Sequence, residues 1–337
     1  MMSLTDGNMP LFQKMAGGRG FQEVWYLKFN VPDVPRALWL RFTVLLREDG
    51  SKEVAEVWAI FFDQGSTGAT KVGLKNTFPL ESFVTRGEAG ISVGSNVLSE
   101  RHTSGMLQGI AGVIAWDFDI RDGGKGGYDF IPGSLQRLGL VKNMAITVYE
   151  QQFYTGWCEI NGLRFEWKDA PGMQGHLGGV KNGYSWLWGH CNTFMDESGD
   201  PVPLIWDGLS ARARFGKIVL PPLTSMLIRI GDVPVALDGF TDQLRIRSSG
   251  GYDGWHFSGS RSGYRFSGTL LARPDLFAGV TYEDTDGSAL FCHNSKLCDL
   301  SLDITDTKGK KRRYVSRAAA AFEVVTRSAN PDVIFLI

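Results

Sequence analysis

Cys158-Glu159-Ile160-Asn161-Gly162-Leu163-Arg164-Phe165-Glu166-Trp167 decides the fold class. Asn161-Gly162 supplies the two positive-φ positions that a two-residue type I′ turn requires, and apolar residues alternate with charged ones on both sides. Alternation with a period of two around a tight turn specifies a β-hairpin. The same pattern continues outward. Residues 23–29, 37–46, 54–63, 112–120, 145–152 and 153–160 are strand-length runs of aromatic and β-branched residues, separated by turns such as Glu48-Asp49-Gly50 and Asp122-Gly123-Gly124. Beyond the hairpin, 186–194, 204–214, 225–230, 244–248, 254–259, 264–272, 276–282 and 300–304 read the same way. Residues 317–327 carry four alanines, yet Phe322, Val324 and Val325 favour a strand there too.

The chain is therefore all-β. So many short strands need an architecture that removes exposed edges, and no repeat of propeller length recurs. Two barrels or strongly curved sandwiches packed together remain, with an N-terminal domain over 1–165 and a C-terminal domain over 166–337. The junction, 166–194, is then the place for a ligand site.

Composition limits what the ligand is. Of 337 residues, 43% are hydrophobic and 21% charged, with a formal net charge of -1, so the chain has no field to attract a polyanion. Lys308 to Arg313, the one dense basic run, reads as a solvated hairpin turn, and no nucleic-acid partner is expected. The four cysteines have neither Cys-x-x-Cys spacing nor scaffold density, which fits a reduced, cytoplasmic compartment. No apolar run is long enough for a signal peptide over residues 1–20 or for a membrane span anywhere, and the apolar tail 333–337 fits a docked edge strand. Oligomeric state is open.

Gly175-His176 and Tyr184-Ser185-Trp186-Leu187-Trp188-Gly189-His190-Cys191-Asn192 concentrate the chemistry. On a strand, Tyr184, Trp186, Trp188, His190 and Asn192 share one face, an aromatic wall with a polar end. Such a face either lines a binding cavity or fills a barrel interior with its own side chains. His176 and His190 are candidate proton donors or acceptors, or fixtures that tie a loop to backbone carbonyls. Asp207, in Ile205-Trp206-Asp207-Gly208, borders an apolar strand and is a candidate general acid, or a turn residue. Trp25, Trp255 and His256 are further candidates for lining the cavity. No metal-ligand spacing, phosphate loop or nucleophile elbow is present, so neither a metal nor a cofactor is expected.

Three stretches together resemble the tocopherol cyclase-like and hydroxyneurosporene synthase-like (carotenoid 1,2-hydratase) family. They are Glu23 to Phe29 with Ala37 to Phe42, the His176 and Trp186-x-Trp188-Gly-His190-Cys-Asn192 pair, and Gly279-Val280-Thr281-Tyr282-Glu283-Asp284. The resemblance implies two lipocalin-like, calycin-type barrels. It also implies an isoprenoid, polyene or polyketide-like ligand and cofactor-free, proton-initiated cyclisation or hydration. Trp186 and Trp188 would then stabilise the cation. In that family an aspartate usually precedes the junction histidine, whereas Gly175 stands here, and Asp207 is the first substitute. A non-catalytic lipid or pigment carrier is the alternative. A glycan-binding or glycoside-hydrolysing sandwich is a second, needing two carboxylates at a set separation.

Overall fold

Asn161 and Gly162, at φ of 52° and 82°, turn the chain between strands Met144–Ile160 and Leu163–Gly179, with Ile160 opposite Leu163. The computed structural model describes residues 7–12, 20–65, 68–87, 90–124, 126–131 and 143–337. Most of the polar stretch 1–20 lies outside them. The hairpin sits at the middle of the first sheet, whose spatial order is Gly68–Pro79, Glu53–Gly65, Arg36–Leu46, Phe21–Asn30, Leu163–Gly179, Met144–Ile160, Gly112–Asp122, His102–Gly109, Asn96–Leu98, Gly90–Val93 and Phe83–Arg86. It curls until its two halves meet. Asn76 on one half donates to the Gln108 carbonyl on the other at 2.9 Å and accepts from the Gln108 N–H at 3.1 Å.

The second large sheet runs Val233–Leu237, Leu223–Ile230, Leu204–Arg212, Ser185–Cys191, Lys311–Thr326, Ala289–Thr305, Tyr264–Leu271, Gly254–Arg261 and Arg247–Gly251. Every ladder within both sheets is antiparallel. The protein is thus two strongly curved antiparallel β units, and the chain crosses from one to the other over 180–184.

Phe21–Asn30 is buried at every position, which a half-solvated strand would not be. Trp25, Leu27 and Phe29 point into the first core with Phe42, Leu40 and Leu38 opposite them, and the Phe29 ring stacks on Tyr154 at 4.0 Å. Val24, Tyr26 and Lys28 point the other way, toward the second sheet. There Tyr26 joins Trp188, Leu227 and Ala321 in one cluster, and Trp39, Trp58 and Ile60 join Val280, Tyr282 and Cys292 in another. The second sheet has its own core, in which Trp206 stacks on Phe257 at 4.6 Å and meets Trp255 edge-on.

Residues 317–327 fall within the strand Lys311–Thr326, and Asp306 caps the basic turn by accepting from the Lys308 and Lys310 N–H groups. The C-terminal tail docks on Ala278–Glu283, where the Gly279 N–H donates to the Ile334 carbonyl. Three details depart from expectation. Residues 145–160 form one strand, its register shifting between Tyr149 and Gln152, because a bulge bends a strand without ending it. The 244–248 segment divides between a 3₁₀ turn, Phe240–Leu244, and the strand Arg247–Gly251. Gly68–Pro79 and His102–Gly109 are strands whose glycines and polar residues gave little sign of it.

Candidate functional site

Ser185–Cys191 alternates as its sequence requires. Cys191 and Leu187 face the second core, while Trp186, Trp188 and His190 face the first sheet. The aromatic row therefore looks into the seam between the two β units. Tyr26 meets Trp188 across that seam edge to face, at 5.4 Å.

Polar groups stitch the seam. Thr147 of the first sheet donates to Asp207 Oδ2 of the second at 2.5 Å, and Arg229 grips Glu150 with two bonds of 2.5 and 2.6 Å. Asn192 donates to the Gly172 carbonyl at 2.8 Å, and Asn30 to the Lys296 carbonyl at 2.8 Å. Lys296 pairs with Glu323 at 2.9 Å and lies 5.1 Å over the Trp188 ring. Lys28 has only long bonds, 3.3 Å to Asn30 and 3.5 Å to the Ala319 carbonyl.

His190 and Asp207 are direct partners across adjacent strands, so their side chains emerge side by side, both fully buried. Each keeps one orphan atom, Nδ1 of His190 and Oδ1 of Asp207. Burial, with the Glu150 charge adding to it, holds the Asp207 carboxyl well above the usual carboxylate range and so favours its protonated form. Burial, reinforced by Lys28 and Lys296, holds the His190 imidazole well below its usual range. Its Nε2 donates to the Glu150 carbonyl at 3.1 Å, which leaves Nδ1 as a bare acceptor. Burial lowers the Lys28 amine to about 8 and keeps the Tyr26 phenol un-ionised. A carboxyl, an imidazole and an amine, each with its proton affinity shifted by burial, thus share one buried seam, together with the orphan Trp188 Nε1, Asn192 Oδ1 and both side-chain amide atoms of Asn294. Unsatisfied buried polar atoms are rare in folded proteins, and several of those in the described residues lie where the two sheets meet, others being in the two separate cores, as at Trp167 and Trp206.

His176 is elsewhere. It shares the interior face of the first sheet with Trp25, whose ring stacks on it at 4.6 Å. Its Nδ1 meets the Gly7 carbonyl and its Nε2 meets Glu23, both at 2.8 Å, while Glu23 also accepts from the Leu11 and Phe12 N–H groups. With both nitrogens engaged, the ring pins the N-terminal segment across the end of the first unit. Trp255 lies inside the second core, donating to Ser248 at 2.8 Å, and His256 faces outward beside Thr269. Tyr184 sits at the outer end of the row, between Arg214 and Arg327. The seam therefore gathers Trp186, Trp188, His190, Asn192 and Asp207, and leaves out His176, Trp25, Trp255 and His256. Tyr26, Lys28, Glu150, Lys296 and Glu323 join it without having been singled out from sequence. A lone charge inside an apolar run, as in Trp25-Tyr26-Leu27-Lys28-Phe29, was the available signal.

Gly175 explains its own departure from the family pattern. It lies opposite Tyr26 in the ladder, and a Cβ there would meet the Tyr26 ring at 2.2 Å and its hydroxyl at 2.4 Å. The phenol occupies the space of a side chain at 175. Among the described residues no group of three His, Cys, Asp or Glu is placed to hold a metal, and no helix is long and apolar enough to cross a membrane.

The fold has solved relatives. Kievitone hydratase from Nectria haematococca superposes with a TM-score of 0.55 at 11% identity, over 98% of this chain and 94% of its own. An ATTH-type protein from Nitrosomonas europaea gives 0.54 at 10% identity, over 91% of this chain and 93% of its own. The likeness is to the lipocalin-like double-unit fold along its whole length. No family model matches the chain, and no curated protein matches it.

Proposed function

We propose that the protein binds a hydrophobic, unsaturated small molecule in the seam between its two β units and catalyses cofactor-free hydration or cyclisation started by proton transfer. The observation that carries this reading is the Asp207 and His190 pair, a buried carboxyl and a buried imidazole emerging side by side with one free atom each, in surroundings that raise the proton affinity of the acid and lower that of the ring. A carboxylic acid kept neutral at pH 7 is what protonation of a double bond requires. Asp207 delivers the proton, and the faces of Trp188 and Tyr26 stabilise the positive charge that develops. His190 Nδ1 takes a proton from the water, or from the internal hydroxyl, that captures the cation. The His190 imidazolium then passes its proton to the neighbouring Asp207 carboxylate, which restores both groups, and since the addition involves no net oxidation or reduction it needs no redox partner. The hydratase among the fold relatives supports this class of chemistry.

The test has two arms. Native mass spectrometry of protein from its own host should reveal a retained apolar ligand. Turnover of polyenes and prenylated quinols in ¹⁸O-labelled water should then add labelled oxygen for hydration, or give an isomer for cyclisation. Asp207→Asn should bind the same ligand and lose about 100-fold or more in rate. Undiminished turnover in Asp207→Asn refutes the assignment of the acid, and binding without turnover in the wild type makes the protein a carrier.

A further inference from the structure

A cleft of about 240 Å³ lies between the two β units, lined by Arg41, Trp58, Lys75, Thr281, Tyr282 and Gly287 among others. Arg41 is the unusual member. Its guanidinium lies 4.1 Å over the Tyr282 ring and 5.1 Å over the Trp58 ring, and it is 8% exposed. Its Nε donates to Thr43 at 2.9 Å, the only hydrogen bond it makes among the described residues, and no carboxylate pairs with it. A nearly buried, always-charged group without a counter-ion is costly unless something else supplies one.

The nearby carboxylates are already engaged. Glu56 faces Lys52 and Lys75 and accepts from Trp58 Nε1, while Glu283 is held by Arg47 and by Lys52 at 2.6 Å. Glu323, on the seam side, is paired with Lys296. The lining itself holds three cations, Arg41, Arg47 and Lys75, against two carboxylates, Glu56 and Glu283. The same cross-strand row runs Lys75, Trp58, Arg41, Tyr26, Gly175, so the cleft and the Tyr26 and Trp188 contact lie on one continuous face. At about 240 Å³ the cleft is below the usual 300 Å³ or more of a whole ligand site, a size suited to one end of a longer molecule.

We infer that Arg41 is the anchor for a carboxylate head group on the ligand, which makes the substrate class an amphipathic acid whose apolar body runs inward along Trp58, Tyr282 and Tyr26. The two terminal guanidinium nitrogens, with Nε committed to Thr43, face the head group as a bidentate donor. The Tyr282 and Trp58 rings, 4.1 and 5.1 Å from the guanidinium carbon, hold the fork in place. The inference rests on the seam as the binding region, and it adds a charge that the proton-transfer reading does not require.

A matched pair of probes tests it. Tryptophan fluorescence titrations of the full chain with 4-phenylbutyrate and with 4-phenylbutanol should show preferred binding of the acid, weakening as ionic strength rises. Arg41→Gln should cost the acid about 10-fold or more and leave the alcohol unchanged. Lys75→Gln, at a partly exposed position on the rim, should reduce the same preference by less, and it keeps the test alive if the buried substitution impairs folding. Equal affinity for the two probes, no binding of the acid, or a preference that survives both substitutions overturns the anchor. Those outcomes leave the proton-transfer reading standing, because Asp207→Asn turnover is read independently of the head group.

Discussion

Replacing Lys28 by methionine should make the protein more stable at neutral pH. The side chain is fully buried, touches no carboxylate, and its long bonds to Asn30 and the Ala319 carbonyl are weak compensation for a charge. Burial lowers the amine from 10.5 to about 8, so between those values the unfolded chain holds more proton than the folded one and stability rises with pH. Below about 8 the cost is fully present. At about 1.4 kcal/mol per pH unit the interval is worth about 3 kcal/mol. Methionine removes that cost while keeping the aliphatic stem, at the expense of one weak donor to Asn30. Lys28→Met should therefore unfold at a Tm roughly 6 °C higher than wild type at pH 7. Urea unfolding followed by circular dichroism from pH 7 to 10.5 should show the two proteins converging as the wild-type amine loses its proton. A variant that is less stable at pH 7, or a difference that stays flat up to pH 10.5, would refute the reasoning. It would mean that the Lys28 charge is balanced inside the seam, as it would be by an ionised Asp207.

Asp207→Asn should match wild-type stability below about pH 3.8 and exceed it progressively as pH rises, because a carboxyl with a raised folded pKa loses stability once the unfolded chain ionises. The same pH series of urea titrations reads it. Glu150→Gln should destabilise by about 1–3 kcal/mol, since it removes the charge that Arg229 now holds with two bonds and leaves Asp232 as the acidic neighbour; calorimetry at pH 7 measures the loss. Gly175→Ala should cost roughly 1–3 kcal/mol through the clash with Tyr26, and clearly less in a Tyr26→Ala background. His176→Phe should release residues 7–12 from Glu23 and the first unit, seen as faster cleavage near the N-terminus in limited proteolysis while the rest of the chain stays resistant.

What was legible in the sequence was local. Asn161-Gly162 fixes a turn by its own backbone preferences, and the common face of Trp186, Trp188 and His190 follows from the geometry of one strand. Which side that face looks toward was not legible. A strand with one wet face marks its outside with polar residues, but Phe21–Asn30 and the second half of Ser185–Cys191 are buried on both sides, so the hydrophobic pattern carries no direction. His176 and His190 are close in sequence and belong to different places in the fold because the chain changes sheets between them, at 180–184. The partner strands of the seam, Phe21–Asn30 against Leu163–Gly179 and Ser185–Cys191 against Lys311–Thr326, are distant along the chain, and their register is set by tertiary packing. Gly175 shows how the two kinds of information join. From sequence it is only an aspartate missing from a family pattern. In the ladder it stands opposite Tyr26, whose ring occupies the space of the absent side chain, so a side chain at 175 fits only if the tyrosine gives way.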